Sequence, residues 1–399
     1  MTHEIIAERL GQDEFLAQAY TREYRHVPGV IKAPGALLSF DTLNDLIGRA
    51  RLEPPRLRLS VDGEALPQYQ YAEPVDTRRH TVWHRVHPDE LHQRLAEGAS
   101  LVIDAIDELH GPIGDLAAGL EGWLRTGVQV NAYASWTKTE GFGTHWDDHD
   151  VIVVQVSGSK TWKLYGPTRH KPMYRDVAAP EEPPEDPLAE LVLNPGDVLY
   201  LPRGWWHAVT ADQGTPSLHL TCGLTPHTGA GLLAFLSEML RSSELVRSDL
   251  PLHAPVEEQR FFLSRLGRQV ATALADPSTL DWYAATRDAQ DVGRLRPSLP
   301  YITSVPQDPS VQVRLTTGRA RITGVDEGGQ HFVRLTAAGS ETDFAPTVRP
   351  LLELLVTGGW RRLGDLADAA SIPVAAAAEL VSELVAARCV TIQSVGVEL

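Results

Sequence analysis

The period of the apolar residues changes several times along this chain, and each change marks a predicted element. Residues 57–61 alternate apolar and polar positions as a strand does, and residues 100–103 form a short apolar run typical of a buried strand. Residues 88–95 open like a helix, with Pro88 in the first turn and acidic residues behind it. Up to about residue 120 these elements carry no distinctive chemistry, so we interpret this part as scaffold.

The middle of the chain has the composition of an antiparallel β-domain. Residues 127–224 are rich in Val, Thr, Trp and Tyr, in short runs that Gly and Pro interrupt. This pattern is typical of the strands of a sandwich or barrel. After residue 227 the period becomes helical, with apolar stripes over residues 232–240 and 257–274. A helical module is therefore expected to follow the β-domain.

The last hundred residues combine strand-like and helical patterns. Residues 311–315, 320–325 and 332–336 predict a small hairpin or meander, with a turn at Gly328 and Gly329. Helical stretches at 348–356, 363–370 and 374–387 then precede a strand-like run at 389–392. Three helices and a hairpin form the pattern of a winged helix. Residues 347–399 hold four arginines against six carboxylates, so we do not expect this module to bind DNA.

Length and charge narrow the classes of function. The 399 residues are enough for two or three domains, and 43% hydrophobic residues exclude a disordered chain. A net charge of −16 argues against nucleic-acid binding and favours a basic polypeptide partner. Only Cys222 and Cys389 are present, which predicts no disulfide framework. Without a signal-peptide pattern or a long apolar run, we expect a soluble, cytoplasmic protein.

Candidate metal ligands concentrate in one short stretch, GTHWDDHD at residues 143–150. If this stretch is a strand, His145 and Asp147 point to the same face. A third candidate, His207, follows turn residues at Gly196 and at 202–204. Two His and one carboxylate on one face of an iron leave three positions free, as in non-haem Fe(II) oxygenases. The H-x-D pair alone is weak, because such pairs more often cap turns or lie on the surface.

Four motifs in a fixed order identify a family that this chain resembles. They are N-x-Y at Asn131 and Tyr133, H-x-D at His145 and Asp147, G-x-[KR]-x-W at Gly158, Lys160 and Trp162, and the distal His207. Residues 130–224 thereby resemble the JmjC-type, cupin-fold Fe(II)- and 2-oxoglutarate-dependent oxygenases. The resemblance is strongest to the ribosomal oxygenases, which hydroxylate side chains of ribosomal proteins. The spacing from Gly196 to His207 matches the second cupin motif.

The resemblance implies a fold class and three domains. It implies a mainly β catalytic core, a double-stranded β-helix of the cupin and JmjC type, within residues 1–226 and with the barrel itself at about 127–226. A helical dimerisation domain would occupy residues 227–300. A winged-helix-like domain would occupy residues 301–399, which agrees with the pattern described above.

The resemblance also implies the metal and its ligands. His145, Asp147 and His207 would bind Fe(II), with 2-oxoglutarate and dioxygen in the three free positions. Lys160 would pair with the distal carboxylate of 2-oxoglutarate. The residue type suits this role, because an ammonium in a barrel interior is costly without an anionic partner. The alternative for Lys160 is an ordinary strand position that faces solvent.

Three further residues receive roles from the resemblance. Tyr133 would donate its hydroxyl to the same carboxylate, and Thr221 follows on the strand after His207. Asn131 shares the face of Tyr133 by alternation and would contact iron-bound species or substrate. For Tyr133 and Thr221 the alternative of ordinary strand residues stays open, since both types are common in sheets.

The other histidines have weaker claims on a metal. Three of them lie near the motifs and could be substitute ligands, but none follows a matching turn: His149, His219 and His227. A second group falls in the scaffold region, where surface or interior structural roles are more common: His80, His84, His87 and His92.

The predicted function is hydroxylation of an Arg or His side chain in a ribosomal protein or another polypeptide, by a homodimer that uses Fe(II), 2-oxoglutarate and dioxygen. A tailoring hydroxylase of a ribosomally made peptide natural product is the first alternative, and N-methyl-lysine demethylation is a weaker one. A metal-binding cupin without oxygenase activity and a winged-helix regulator are alternatives from other classes. Asp147 and Lys160 favour the oxygenase.

Overall fold

The computed structural model describes residues 2–76, 78, 82–139, 141–174, 176, 181–299 and 301–393. The chain forms two compact units, Met1–Thr225 and Pro226–Leu399. The boundary falls where the predicted β-domain gives way to the helical module. The further division of the second part at residue 300 stays a prediction.

The first unit combines helices with three antiparallel sheets among its described residues, one of which has only two strands. Its helices are α1 (Thr2–Leu10), α2 (Gln12–Gln18), α3 (Phe40–Arg49), α4 (Pro88–Ala96) and α5 (Gly111–Leu124). Its strands are β1 (Arg25–Val27), β2 (Leu57–Val61), β3 (Glu64–Ala65), β4 (Ala72–Asp76), β5 (Val82–Val86), β6 (Ser100–Ile103), β7 (Val128–Ser135), β8 (Asp150–Ser157), β9 (Lys160–Gly166), β10 (Ala189–Leu193), β11 (Val198–Leu201), β12 (Trp206–Thr210) and β13 (Ser217–Leu224).

Two sheets enclose the inner core. The large sheet has the order β1-β11-β8-β13-β7-β6-β2-β3, and the small one has the order β10-β9-β12. Strand β8 shows why the sequence reads as an unbroken apolar run. Val151 and Val153 pack with residues of the small sheet, whereas Ile152 and Val154 belong to the core on the other face. Because both faces of β8 are covered, the alternation typical of a half-exposed strand is absent.

The N-terminal part is an integral component of the β-core. Strands β1, β2, β3 and β6 extend the large sheet on both sides, and β6 pairs with β7 so that Val102 lies opposite Tyr133. Apolar residues of α1 and α5, including Ile6 and Leu120, pack in the outer core. These strands lie in the part predicted as scaffold, and short strands scattered among helices give no sequence signal of which sheet they join.

The second unit begins with helices and ends with a mixed module. Its helices are α6 (Gly229–Met239), α7 (Glu244–Arg247), α8 (Val256–Ala275), α9 (Thr279–Ala289), α10 (Arg349–Val356), α11 (Leu363–Ala370) and α12 (Val374–Ala386). Its strands are β14 (Gln312–Leu315), β15 (Arg321–Glu327), β16 (Gln330–Ala337), β17 (Ser340–Phe344), β18 (Arg361–Arg362) and β19 (Val390–Gln393).

The strands of the second unit pair differently from the simplest expectation. A meander forms from β15, β16 and β17, but β14 does not join it. Instead β14 lies between β18 and β19, where Val313 and Leu315 are buried against the helices. The expected hairpin after α12 is represented by β19 alone, since residues 394–399 lie outside the described residues. The local sequence pattern predicted the positions of the strands. It did not predict that β14 pairs with β18 and β19, where its apolar side chains are buried.

No single helix in the described part of the chain is long and apolar enough to cross a membrane. One pair of helices, α11 and α12, passes a test of length and composition together, and the two are bent by 108°.

The turn at Gly196 shows how the sequence fixes the path of the chain before β11. Gly196 has φ +92°, in the region that favours glycine. Its N–H donates to the carbonyl of Gln155 at 2.9 Å, and its carbonyl accepts from the N–H of Ile31 at 3.0 Å. A Cβ at this position would lie 2.3 Å from the carbonyl oxygen of Ile31. Only glycine therefore permits this close approach.

We expect Gly196→Ala to lower the free energy of unfolding by about 2–5 kcal/mol, because left-handed backbone strain and overpacking add. The matched control is Gly214→Ala, where φ is +75° but nothing lies within 4 Å of the added Cβ. The control should cost only about 1–2 kcal/mol of backbone strain. Urea denaturation followed by tryptophan fluorescence measures both, and equal losses would contradict this account of the turn.

Candidate active site

Three predicted ligands converge in the first unit. One ligand atom each of His145, Asp147 and His207 lies within 4.8 Å of the others, and the structure shows no other such group among the described residues. Nε2 of His207 is 3.8 Å from Oδ2 of Asp147. His207 is buried, whereas His145 and Asp147 are half-buried. The three side chains can therefore bind one metal ion on one side and leave its other side open.

The expectation that His145 and Asp147 occupy a strand is wrong. Both lie in an irregular segment before β8, and only His145 makes a β-type contact, an isolated bridge to His207. The N–H of His145 donates to the carbonyl of His207 at 3.1 Å, and the N–H of His207 donates back at 2.8 Å. The two histidines meet through this bridge rather than through strand alternation, and Gly143 with φ +63° lets the chain turn ahead of it.

The turn before His207 also holds the Asp147 segment. The N–H of Gly204 donates to the carbonyl of Asp147 at 2.9 Å. The N–H of the preceding Arg203 donates to Oδ1 of Asp150 at 2.9 Å, which fixes the turn against the start of β8. The sequence predicted that the 202–204 turn would position His207. Because the turn also holds the Asp147 segment, it positions two of the predicted ligands.

Hydrogen bonds select the ring nitrogen that each histidine presents. Nδ1–H of His145 donates to the carbonyl of Gly143 at 3.1 Å, and Nδ1–H of His207 donates to the carbonyl of Trp205 at 3.0 Å. With Nδ1 engaged in this way, Nε2 of each ring keeps its lone pair for a metal. The ring of His207 is further held by stacking on Trp162, with centroids 5.6 Å apart.

The protonation states suit metal binding. Burial, with a contribution from His145, lowers the pKa of His207 to about 4, so its imidazole is neutral at pH 7. Burial acts to raise the pKa of Asp147, but attraction to the neighbouring histidines in their protonated form, His207 foremost, outweighs it and brings that pKa below the usual value. Neutral imidazole and ionised carboxylate are the ligand forms, so a metal displaces few protons here.

The ligands line a cavity of about 250 Å³ between the sheets. Polar groups from several strands meet in it, together with an aromatic wall. Its lining residues are Arg58, Ser100, Tyr133, Gly141, Phe142, Gly143, His145, Asp147, Val151, Lys160, Trp162, His207, Val209, His219 and Thr221. A volume near the lower end for ligand pockets fits a small organic molecule beside a metal ion.

Lys160 lies in this cavity and not in solvent. The residue is 4% exposed, and no hydrogen bond or ion pair joins its ammonium to any described residue. Burial lowers the pKa of Lys160 to about 7. A buried lysine that lacks a counter-ion is costly unless an anion binds beside it.

The remaining predicted residues separate into two groups. Tyr133 and Thr221 line the cavity. Burial, with the Asp147 charge, raises the pKa of Tyr133 to about 12, so its hydroxyl stays a proton donor. Asn131 does not line the cavity, and its Oδ1 accepts from the N–H of Ala105 at 3.0 Å. Its contact with bound species therefore stays a prediction without support from this geometry.

The other histidines lie outside the ligand group. Nδ1 of His149 is 3.0 Å from Oδ1 of Asp148, and His227 lies in the second unit, with Nδ1 3.4 Å from the hydroxyl of Tyr283. In the scaffold region His84 pairs with Glu53 and His92 is exposed, while His80 lies outside the described residues. His219 was considered only as a substitute metal ligand, and the structure places it in the cavity without being one of the three.

Residues 118–232 match the family model described as JmjC domain. The family resemblance inferred from the motifs is confirmed over this segment, which is less than half of the chain. The matched segment includes all three predicted ligands and Lys160.

Curated relatives agree with this. The chain is 36% identical over 106 residues to the bifunctional lysine-specific demethylase and histidyl-hydroxylase NO66 of Drosophila persimilis, and 34% identical over 141 residues to that of Aedes aegypti. These matches cover 27% and 34% of this chain. They span only 15% and 22% of the length of the relatives.

Solved structures extend the similarity of fold to almost the whole chain. The ribosomal oxygenase YcfD of Escherichia coli superposes with a TM-score of 0.60 at 15% identity, covering 95% of this chain and 97% of that one. The same protein in complex with cobalt and 2-oxoglutarate superposes with a TM-score of 0.60 at 18% identity, covering 96% and 99%. At such low identity the similarity shows the fold.

We expect His145→Ala to weaken Co(II) or Fe(II) binding by about 100-fold or more, because only two of the three ligands remain. The matched control is His149→Ala, which removes the same side chain four positions further on and leaves the three ligands in place. Anaerobic titration of the metal, followed by Co(II) absorbance, measures both affinities. Retained affinity in His145→Ala, or equal loss in His149→Ala, would contradict the proposed ligand set.

Proposed function

We propose that this protein is an Fe(II)- and 2-oxoglutarate-dependent oxygenase that hydroxylates an Arg or His side chain of a ribosomal protein. The observation that carries the proposal is the coexistence, in one cavity, of a two-His, one-carboxylate group and a buried lysine without a counter-ion. The first binds a metal on one face and leaves positions free. The buried lysine requires an anionic partner, which a ligand that also binds the metal would supply.

The donor set fits iron. Two neutral imidazoles and one carboxylate, with hydrogen bonds that orient both rings, are the ligands of non-haem Fe(II) oxygenases. His145, Asp147 and His207 would hold the ion. When bound, iron with 2-oxoglutarate and dioxygen supplies the oxidising power for hydroxylation of a C–H bond, with succinate and carbon dioxide as the other products.

The protein's own residues bind and orient the oxo-acid. The ammonium of Lys160 pairs with the distal carboxylate, and the hydroxyl of Tyr133 donates to it, with Thr221 beside them. Trp162 is 3% exposed and covers one side of the cavity, where it stacks on His207. This arrangement holds the keto-acid end towards the metal and keeps bulk water away from it.

The polypeptide substrate is proposed from charge and similarity. The net charge of −16 favours a basic partner, and ribosomal proteins are basic. The similar proteins are named as a ribosomal oxygenase and as a histidyl-hydroxylase. The same curated name includes lysine-specific demethylation, which makes N-methyl-lysine the second candidate substrate.

Two finer assignments complete the proposal. Residues 301–399 act as a winged-helix-like module, which the set of α10, α11 and α12 with the β18-β14-β19 sheet supports. The protein functions in the cytoplasm, for which two buried cysteines that form no disulfide among the described residues are a supporting feature.

The helical module around α8 is proposed to form a homodimer. Helix α8 has 20 residues, none of them buried. Its apolar stripe at Leu263, Leu266, Val270 and Leu274 has helical spacing, and Leu263 is 61% exposed. A helix of this kind gains its stability by covering such a stripe, and a second copy of this chain supplies an equivalent surface.

We expect Leu263→Asp to convert the dimer into a monomer, because a carboxylate would be buried at the interface. Ser264→Asp is the matched control, since it adds the same charge at the next, exposed position outside the stripe. Light scattering coupled to gel filtration gives the mass of each. A wild-type monomer, or a dimer that survives Leu263→Asp, would contradict the interface.

Succinate release from 2-oxoglutarate tests the proposed reaction. We expect iron-loaded wild type to turn over, ribosomal protein extract to stimulate it, and His145→Ala to be inactive. Lys160→Ala should raise KM for 2-oxoglutarate about tenfold or more, because it removes the charged partner of the distal carboxylate. Lys160→Arg, which keeps the charge, should recover part of the loss.

The same lysine gives the reaction a defined pH dependence. Since the pKa of unliganded Lys160 is about 7, the ammonium is lost as the pH rises above 7, and affinity for 2-oxoglutarate falls. The rise of KM between pH 7 and 9 should disappear in Lys160→Ala. Turnover without iron, or an unchanged KM in Lys160→Ala, would contradict the proposal, whereas turnover that extract fails to stimulate would favour a dedicated biosynthetic peptide.

A further inference from the structure

Strand β10 forms an open edge of the small sheet. It pairs with β9, and no described strand pairs with its other side. Leu191 and Leu193 pack in the inner core, whereas Glu190 and Val192, on the other face, are exposed. Leu188, directly before the strand, is 67% exposed. An unpaired edge presents a row of backbone N–H and C=O groups, to which an extended polypeptide can add as a further strand.

The charges beside this edge select a basic occupant. Residues 181–187, which lead into β10, have the sequence EEPPEDP. A basic polypeptide would complement the carboxylates here, whereas the β10 edge of a second copy would bring like charges together. Four of these carboxylates are exposed and form no ion pair with any described residue: Glu182, Glu185, Asp186 and Glu190.

The open edge lies close to the metal ligands. On β9, Leu164 is the register partner of both Ala189 and His207. Neighbouring strands are about 4.8 Å apart, so a strand added to β10 would lie about 15 Å from the backbone of His207. An extended chain covers that distance with about five residues. One polypeptide can therefore pair with β10 and also place a side chain at the metal.

The acidic segment is anchored at the turn that positions the ligands. Glu181 pairs with Arg169 at 3.2 Å. The carbonyl oxygen of Arg169 lies against Gly204, where an added Cβ would approach it to 2.9 Å. The N–H of Gly204 in turn holds the carbonyl of Asp147. The carboxylates that precede β10 thus begin beside the candidate active site.

We propose that β10 and the acidic residues before it are a docking site for a basic, extended segment of the polypeptide substrate. The segment adds antiparallel to β10, with apolar, basic and apolar side chains beside Leu188, Glu190 and Val192. Further basic residues follow beside the acidic segment. This inference rests on the proposed function and adds to it a binding surface outside the cavity, at a fixed distance from the hydroxylated side chain.

A peptide and a control of identical sequence test the docking site. The peptide Val-Thr-Lys-Thr-Val-Lys-Lys-Lys carries the alternation and the basic end, and it contains no Arg or His that the enzyme could hydroxylate. Its control is N-methylated at each internal backbone nitrogen, so it keeps the charges and loses the N–H donors of a strand. Fluorescence anisotropy of the labelled peptides, with full-length protein and no added metal, gives both affinities.

We expect the N-methylated control to bind about tenfold more weakly than the peptide or not at all, because it cannot pair with the edge. The variant with Asp186→Asn and Glu190→Gln should bind the peptide about fivefold more weakly, since two exposed charge contacts are lost. The matched variant, with Asp13→Asn and Glu14→Gln on α2, changes the net charge equally at exposed positions. It should stay within about twofold of wild type.

Hydrogen exchange locates the bound peptide on the wild type, so this measurement does not depend on a variant that folds. Backbone amides of residues 188–193 should exchange more slowly in the presence of the peptide. Those of β3, at the edge of the large sheet, should not change. Unchanged exchange at 188–193 under saturating peptide would overturn the site, and equal affinity for the N-methylated control would reduce the contact to charge alone.

Competition connects the docking site with the substrate. In the succinate assay of iron-loaded protein, excess peptide should suppress the stimulation by ribosomal protein extract, and the N-methylated control should not. A peptide that protects β10 without suppressing the stimulation would contradict the use of this edge by the substrate. An absence of turnover, with the peptide bound at β10, would instead contradict the proposed function while supporting β10 as a binding site for a basic polypeptide.

Discussion

The pair of backbone hydrogen bonds between His145 and His207 is the interaction on which the rest of the site depends. It joins the irregular segment before β8 to the first residues of β12, so that strands of both sheets meet at one point. Side-chain hydrogen bonds could not do this as well, because both imidazoles must keep Nε2 free. With the backbone bridge in place, each Nδ1–H is available to a carbonyl of its own segment. The geometry of two ligands is thus fixed without use of the atoms that bind metal.

The cavity combines two opposite electrostatic requirements. Asp147 and the imidazoles of His145 and His207 create a site for a cation. Lys160, which is buried in the same cavity without a counter-ion among the described residues, creates a site for an anion. The two requirements do not cancel, because no ion pair joins Lys160 to Asp147. A ligand with a chelating head and a distant carboxylate satisfies both at once.

The sequence predicted the local features of this site well and the non-local ones poorly. Helix α11 at 363–370 and strand β2 at 57–61 have the predicted bounds, because apolar period determines them. The sequence motifs also predicted the three candidate metal ligands, His145, Asp147 and His207, and the structure brings them together. By contrast, the strand expected at His145 fails, since a bridge to a distant strand replaces a local pairing.

His219 shows why part of the pocket is beyond such analysis. Its neighbours in sequence, Leu218 and Leu220, are ordinary core residues, so a histidine between them resembles a satisfied interior residue. Its place among the residues that line the cavity depends on ring contacts with Tyr133 and Trp162, which only the fold brings together. The contacts of Asn131 also depend on residues distant in sequence. Its spacing from Tyr133 predicts a shared face, but its amide oxygen accepts from the backbone N–H of Ala105, which lies in the loop after β6.

The turn glycines connect stability with function in this fold. Gly196 lets β11 begin against Ile31, and the N–H of Gly204 holds the carbonyl of Asp147. Both positions have φ between +79° and +92°, where a side chain would be strained. The 202–204 turn therefore contributes no ligand of its own, yet it sets the separation of Asp147 from His207.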